Sequence, residues 1–206
     1  KPEISSENKI IADEIYHPLI PKCKTNSITI SEKSVLLTGS NMSGKTSFIR
    51  AVGLNIITGL TLNTCFAKSI SFPLMRIFSA IRISDDLMND KSYYFEEVLT
   101  IKEMITESTS EVRNLFLLDE LFKGTNTVER ISAGKAVLSS LSKNDNIVLV
   151  STHDIELADM LSKEYELYHF SEVLNDKNVG FDYKLKGGKL TNRNAIRILE
   201  INDYPA

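Results

Sequence analysis

The sequence lacks the features that mark membrane, secreted or disulfide-stabilised proteins. No apolar run reaches the length of a transmembrane helix, and the opening KPEISSENKI has no signal-peptide pattern. The only cysteines are Cys23 and Cys65, and their spacing fits neither a metal site nor a disulfide framework. We therefore expect no membrane segment in this chain and a reducing, cytoplasmic location.

An excess of positive charge is also absent. The formal net charge is −3, so the chain as a whole is not the electrostatic footprint of a nucleic-acid-binding protein. Of the 206 residues, 42% are hydrophobic, which is enough for the core of one globular domain. No internal repeat or low-complexity linker divides the chain, and it lacks an initiator methionine. We expect residues 1–206 to be a single domain cut from a longer protein.

Apolar periodicity predicts strands that alternate with helices. Strand-like runs are Ser27–Ile30, Val35–Thr38, Arg76–Ile83, Leu115–Glu120, NIVLVSTHD at 146–154, Leu167–Phe170 and Phe181–Lys186. Helical patterns cover Lys45 to about Leu60, Phe95–Ser108, Ala133–Leu141, Ile155–Ser162 and about Asn194–Ile201. The KGGK at 186–189 is typical of a hairpin turn. This alternation predicts an α/β fold with a mostly parallel central sheet flanked by helices.

The stretch GSNMSGKT, which begins at Gly39, fits the phosphate-loop pattern G-x-x-x-x-G-K-[ST]. Gly39 and Gly44 would let backbone N–H groups approach phosphate, Lys45 would supply a positive charge, and Thr46 would offer a hydroxyl to Mg²⁺. A chance match in a turn is the alternative. The loop follows a buried strand and precedes a helix, which is the context that the motif requires, and this favours nucleotide binding.

Two further polar groups follow predicted strands. The run LFLLDE ends in Asp119, which is placed for the Mg²⁺ shell, and Glu120, which is placed as a general base for an attacking water. The run VLVSTHD puts His153 just beyond the next strand, where it could contact the γ-phosphate. Solvated acids at a strand end and a structural histidine are the alternatives. Taken together, the three motifs indicate a nucleotide hydrolase.

These motifs resemble those of the MutS family of mismatch-repair ATPases. TGSNMSGKTSFIR (38–50) is similar to the family's T-G-P-N-M-[GSA]-G-K-[ST]-T-x-[LI]-R, and LLDELFKGTNTVER (117–130) to its L-L-D-E-[LIV]-G-R-G-T-S-T-x-[DE]-G. ISDDLMNDKSYYFEEV (83–98) resembles A-S-D-D-L-x-x-G-x-S-T-F-x-x-E-M, and STHD (151–154) stands where the family has [AS]-T-H-[YF]. HPLI (17–20) and the tail from Phe181 extend the resemblance to nearly the whole chain.

The resemblance implies a P-loop NTPase fold of the ABC-ATPase type, with an additional β-hairpin near the C-terminus, and ATP and Mg²⁺ as ligands. Catalytic roles fall on Glu120, His153 and Lys45, metal binding on Thr46 and Asp119, and a contact to the partner's nucleotide across a dimer on Ser92. The nucleotide-binding residues are Gly39, Ser40, Asn41, Met42, Ser43, Gly44, Lys45, Thr46 and Ser47. Thr125, Asn126 and Thr127 are expected in a loop along the dimer interface.

The chain departs from the family pattern in several places. The proline after the first loop glycine is Ser40, a glycine after the acidic pair is Phe122, and the last glycine of that motif is Arg130. Asp90 replaces the glycine before Ser92. The aromatic that stacks on adenine should fall near Cys23, where the sequence has none. These differences suggest a divergent branch with its core hydrolytic residues intact.

Three functions are consistent with these motifs and with the resemblance to the MutS family. The first is an ATP-hydrolysing domain of a MutS-related DNA mismatch repair or DNA-processing protein, a homodimer that joins through its nucleotide sites. Mismatched DNA would then be bound mainly by regions outside this chain. The second is a nucleotide-gated dimerisation module with little hydrolysis. The third is an ABC-type ATPase acting on a non-DNA partner, which the segment KSYYFEE disfavours because transporter subunits carry L-S-G-G-Q in that zone.

Overall fold

The computed structural model describes residues 1–81, 90–175 and 178–190. Its largest sheet is six-stranded, and its strands are β4 (Ser34–Thr38), β6 (Arg76–Ala80), β7 (Asn114–Asp119), β8 (Ile147–Ser151), β9 (Tyr165–His169) and β12 (Lys186–Gly187). They lie in the order β12-β9-β4-β8-β7-β6, and every neighbouring pair is parallel except β12 with β9. The predicted α/β fold with a mostly parallel sheet is confirmed.

The helices cover both faces of this sheet. They are α1 (Lys45–Leu62), α2 (Asp90–Glu107), α3 (Thr127–Leu141) and α4 (Ile155–Leu161). Successive strand residues point to opposite faces, so Val35 and Leu37 pack with α1, whereas Leu36 packs on the side of α2, α3 and α4. The central strands β4 and β8 are buried along their whole length, which explains why they are continuous apolar runs.

A second sheet lies beyond α1 and was not predicted in full. It contains β1 (Glu3–Ser5), β2 (Ile10–Ile15), β3 (Asn26–Ile30) and β5 (Ser69–Pro73), in the order β1-β5-β2-β3. Only β3 was predicted. In β2 the pairing with β3 shifts between Ala12 and Ile15, and Glu14 has φ 50°. This irregularity breaks the two-residue alternation on which strand prediction depends.

The prediction for the C-terminal region was wrong in detail. The hairpin there pairs β10 (Glu172–Asn175) with β11 (Asn178–Phe181), so Phe181 ends a strand and does not begin one. KGGK is not a hairpin turn, because Lys186 and Gly187 form β12 against β9. Strand β9 begins at Tyr165, two residues before the predicted start. The helix predicted at about Asn194–Ile201 lies outside the described residues.

Other element boundaries also differ. Helix α3 begins at Thr127 and not at Ala133, because the side chain of Asn126 accepts a hydrogen bond from the Glu129 N–H and caps the helix. Helix α2 begins at Asp90, earlier than the predicted Phe95. Strand β6 ends at Ala80, and most of the predicted remainder up to Ile83 is not described. Among the residues that the structure describes, no helix is long and apolar enough to cross a membrane.

Candidate active site

The phosphate loop connects β4 to α1 at the carboxyl edge of the large sheet. Gly39 has φ +141°, and a Cβ on it would lie 2.5 Å from the carbonyl oxygen of Phe170. Gly44 precedes α1 with φ +108°, in the left-handed region that L side chains rarely adopt. The two glycines therefore allow the backbone conformation that places the N-terminus of α1 facing the loop.

The Lys45 ammonium group lies inside this loop. Its Nζ donates hydrogen bonds to the carbonyl oxygens of Gly39 at 2.8 Å and Ser40 at 2.9 Å. Burial lowers the pKa of Lys45 to about 8, although the negative charges of Glu120 and Asp119 act in the opposite direction. Among the described residues, the hydrogen bonds of this buried cation go to neutral carbonyl oxygens, so it is placed to receive an anion.

Two hydroxyl groups of the same loop are buried without a partner. Within the described part of the chain, neither Ser40 Oγ nor Ser43 Oγ has a hydrogen-bond partner. A buried hydroxyl of this kind costs free energy unless something else satisfies it. Phosphate oxygens would satisfy both hydroxyls, so these orphaned donors fit the group that the loop motif predicts.

Asp119 connects the loop to the ends of two strands. Thr46 Oγ1 donates a 2.8 Å hydrogen bond to Asp119 Oδ2, and Ser151 Oγ donates to Asp119 Oδ1. The carboxylate and two hydroxyls form a compact set of oxygen atoms beside the phosphate loop. Oxygen ligands of this kind are what Mg²⁺ prefers, so the residues present fit that ion. Ser151 was missed by the sequence analysis, although its position at the end of a buried strand was a signal for it.

Glu120 is held by two cationic or polar side chains. His153 Nε2 contacts Glu120 Oε1, and Lys123 Nζ lies 2.5 Å from Glu120 Oε2. Burial alone would raise the pKa of Glu120, but the hydrogen bonds and charges of His153 and Lys123 outweigh it and lower the pKa to about 2. Each carboxylate oxygen therefore has one side-chain partner and keeps a further lone pair that can accept a hydrogen bond from water.

A cavity of about 360 Å³ adjoins the loop on its other side. Gly44, Ser47 and Phe48 form one wall, and Cys23 lies on another. The tyrosines at positions 16 and 183 also line the cavity, and they are 38% and 44% exposed. A flat ligand next to the phosphate loop would meet their rings, so the cavity suits the base of a nucleotide.

Comparison with known proteins identifies the family. A family model described as MutS domain V matches residues 35–206. The chain belongs to the MutS family. It is 30% identical to the DNA mismatch repair protein MutS of Aquifex pyrophilus over 215 residues, which cover 100% of this chain and 25% of that protein. It is 34% identical to the DNA mismatch repair protein MSH3 of Kluyveromyces lactis over 187 residues, which cover 85% of this chain and 18% of that protein.

The family match gives the type of domain, and the alignments give the fraction of each relative's length that the chain covers. MutS domain V is an ATPase domain. The DNA mismatch repair protein MutS of Clostridium tetani is 29% identical over 220 residues, covering 100% of this chain and 25% of that protein. The chain thus spans about a quarter of the length of these bacterial MutS proteins.

Two tyrosines line the cavity beside Cys23, near which the MutS resemblance places an adenine-stacking aromatic. Tyr16 comes from the end of β2, and Tyr183 follows β11. The backbone oxygen of Tyr183 accepts a 3.0 Å hydrogen bond from Asn26 Nδ2, which ties the two distant segments together. The sequence could not reveal this, because 157 positions separate Asn26 from Tyr183.

The positions expected along a MutS dimer interface are only partly described. Ser92 lies within the first turn of α2 and not in a loop, and its side chain is outside the described part of the structure. Thr127 begins α3, and Thr125 Oγ1 donates to Glu129, so these residues build the helix start. Met42 protrudes from the phosphate loop with 83% of its surface exposed and φ 67°.

Phe122 occupies a position where the MutS motif has glycine. Its φ is 58°, and it is 6% exposed in the core between the large sheet and its helices. A backbone that suits glycine is retained, while the added ring is buried. Its N–H donates a 3.0 Å hydrogen bond to Glu97 Oε1 of α2. The departure therefore fills the core and leaves the turn after β7 in place.

Proposed function

We propose that this chain binds and hydrolyses ATP as the ATPase domain of a longer, MutS-related DNA-processing protein. The carrying observation is the meeting of Lys45, Thr46, Asp119, Glu120 and His153 at one edge of a parallel sheet, around a phosphate loop. These five side chains come from three separate segments of the chain. A turn with no role beyond structure would not require them to lie together. The strand order and the loop also support a fold of the ABC-ATPase type.

Each residue has a role that follows from its chemistry. The loop residues 39–47 bind the triphosphate through backbone N–H groups, and Lys45 supplies the charge. Thr46 and Asp119 hold Mg²⁺, which when bound offsets the charge that develops on the phosphate oxygens. Glu120 accepts the proton of the attacking water, and His153 contacts the γ-phosphate. Tyr16 and Tyr183 receive the adenine ring in the 360 Å³ cavity.

Dimerisation would complete the site. Proteins of the MutS family form dimers, and we propose that two copies of this chain join through their nucleotide sites. Ser92 would then approach the nucleotide of the other copy. Recognition of mismatched DNA would belong to regions outside these residues, consistent with the formal net charge of −3.

A nucleotide-gated dimerisation module with little hydrolysis is the second candidate. It is favoured by the state of Glu120, whose oxygens are both engaged and whose pKa is about 2. A carboxylate with so low a pKa is a weak base, which would make proton transfer from the attacking water slow. An ATPase that acts on a non-DNA partner has no supporting observation of its own.

One experiment tests the proposal and separates the two candidates. ATP binding, phosphate release and molar mass by light scattering are measured for the wild type and for Lys45→Met, with Glu164→Gln as a control at an exposed site. An ATPase releases phosphate continuously, and Lys45→Met loses both binding and release. A gating module binds ATP and dimerises without release. Absence of ATP binding by the wild type would contradict both.

A further inference from the structure

An arginine–aspartate ion pair lies beside the Glu120–His153 contact. Arg130 Nε donates to Asp154 Oδ2 at 2.8 Å, and Arg130 Nη2 donates to Asp154 Oδ1 at 2.7 Å. The two side chains are only 24% and 13% exposed, so this is a mostly buried, bidentate pair. Arg130 belongs to α3, and Asp154 directly follows His153 in the chain.

The Asp154 carboxylate is turned away from the helix that it precedes. Asp154 is the N-cap residue of α4, a position where aspartate commonly accepts hydrogen bonds from the helix N–H groups. In the part of the chain that the structure describes, its side chain makes no such bond and faces Arg130 instead. The start of α4 is therefore held by α3 and not by its own cap.

This arrangement fixes the short turn that carries His153. The Thr152 N–H donates to the Leu37 carbonyl oxygen at 2.9 Å, which anchors the turn to β4. On the other side of His153, the Asp154 N–H donates to Thr152 Oγ1 at 3.0 Å, and its carboxylate is anchored to Arg130. His153 thus projects from a segment that is held at both ends.

The Arg130–Asp154 ion pair and the Glu120–His153 contact also line the same cavity. A cavity of about 160 Å³ is lined by Glu120, Leu121, Lys123, Arg130, Thr152, His153 and Asp154. Because Asp154 directly follows His153, movement of Asp154 would also shift the His153 imidazole relative to the Glu120 carboxylate. Arg130 stands where the MutS motif has glycine, and Asp154 stands where it has tyrosine or phenylalanine; in the structure these two positions are in direct contact.

We propose that Arg130 and Asp154 are a positioning pair that holds the His153 imidazole against the Glu120 carboxylate. The effect on turnover rests on the proposed ATPase function, whereas the effect on His153 geometry does not. A plain structural tie between α3 and α4 is the competing explanation, and it predicts no change at the His153 ring when stability is unaltered.

The first test reads the geometry directly and needs no turnover. Imidazole ¹⁵N and ¹H resonances are recorded for the three histidines, with His153 assigned through His153→Gln, and His17 and His169 as internal references. Glu120→Gln defines the shift that results when the carboxylate in contact with His153 is removed. We expect Arg130→Met and Asp154→Asn to move the His153 resonances in the same direction, with those of the reference histidines unchanged.

Two further variants keep this test decisive. Arg130→Met leaves the Asp154 charge partly buried and alone, so the double variant Arg130→Met with Asp154→Asn removes both charges and guards against loss of fold. Arg76→Met is the matched control, because it removes an arginine–carboxylate pair with Glu107 at 2.8 Å on another part of the molecule. Unchanged His153 resonances in the folded single and double variants would overturn the proposal. So would Glu120→Gln leaving them unmoved.

The second test concerns phosphate release. We expect Arg130→Met to lower kcat about tenfold or more while KM for ATP stays within about twofold, since misplacement of a catalytic group acts on the chemical step. The pH profile of kcat should also change shape, whereas Arg76→Met should leave both unchanged. Equal kcat in a folded Arg130→Met variant would contradict the proposal. Absence of turnover in the wild type would instead contradict the proposed ATPase, and the resonance test would still decide the role of the pair.

Discussion

Thr46 donates a 2.8 Å hydrogen bond to Asp119, although the two residues are 73 positions apart in the chain. The bond joins the first turn of α1 to the end of β7 and places a hydroxyl and a carboxylate side by side. Ser151 reaches the other oxygen of the same carboxylate. Through this contact, residues of the phosphate loop and of the end of β7 form a single site.

The Thr46 hydroxyl should be responsible for much of the Mg²⁺ dependence of ATP binding. Thr46→Val keeps the shape of the side chain but removes the oxygen, so the gain in ATP affinity on adding Mg²⁺ should largely disappear. Thr46→Ser keeps a hydroxyl and should retain that gain. Calorimetric titration with ATP, in Mg²⁺ and in EDTA, measures both. An equal Mg²⁺ effect in the valine and serine variants would contradict the metal role.

Lys45 should make stability depend on pH in a predictable direction. Its pKa is lowered from 10.5 to about 8, so protonation is less favourable in the folded protein than in the unfolded chain. Its contribution to stability is therefore present above pH 10.5, and is lost as the pH falls towards 8. The free energy of unfolding of the wild type relative to Lys45→Met should rise by up to about 3 kcal/mol across that window.

Urea denaturation of both proteins at a series of pH values measures this difference. Other titrating groups are common to the two proteins and cancel in the comparison. A difference that is flat between pH 8 and pH 10.5 would show that the Lys45 ammonium is not desolvated as the structure indicates.

The sequence was most informative where structure is local. The phosphate loop, β4 and α1 are adjacent in the chain, and the strand–loop–helix order of residues 34–62 could be predicted from their pattern alone. Asp119 and His153 could be placed at the same edge because Asp119 ends one buried strand of a parallel sheet and His153 follows the end of another. The MutS family assignment, which rested on these motifs, is confirmed.

The features that could not be predicted from the sequence depend on contacts between residues far apart in the chain. Strand β5 lies between β1 and β2 in the second sheet, and no short sequence pattern predicts that strand order. Tyr183 lines the 360 Å³ cavity through a segment tied to Asn26, and Arg130 of α3 reaches Asp154 at the start of α4. The roles assigned to individual site residues stay predictions until they are measured.

Tyr183 should recognise the base and not the phosphates. Stacking of an aromatic side chain on a base is worth about 1–3 kcal/mol, so Tyr183→Ala should weaken ATP binding by roughly 5-fold to 150-fold. Tyr183→Phe keeps the ring and should bind ATP nearly as the wild type does. Binding of inorganic tripolyphosphate should be the same in all three proteins. A matching loss of tripolyphosphate affinity in Tyr183→Ala would contradict a specific role in base recognition.

Gly39 should be intolerant of any side chain. A Cβ there would lie 2.5 Å from the Phe170 carbonyl oxygen, in a backbone conformation with φ +141°. We expect Gly39→Ala to lower the free energy of unfolding by about 1–3 kcal/mol or more. Gly187→Ala is the matched control, because nothing lies within 4 Å of a Cβ at that position. Equal denaturation midpoints for the two variants would contradict the close approach of the loop to Phe170.

Glu120 is proposed to activate water for ATP hydrolysis, and the rate of phosphate release by Glu120→Gln measures that role. The substitution keeps the size of the side chain but removes the base, which should slow release by about 100-fold to 10,000-fold while ATP binding persists. Glu164→Gln, at an exposed site, should release phosphate at the wild-type rate. A Glu120→Gln variant that binds ATP and releases phosphate as fast as the wild type would contradict the account.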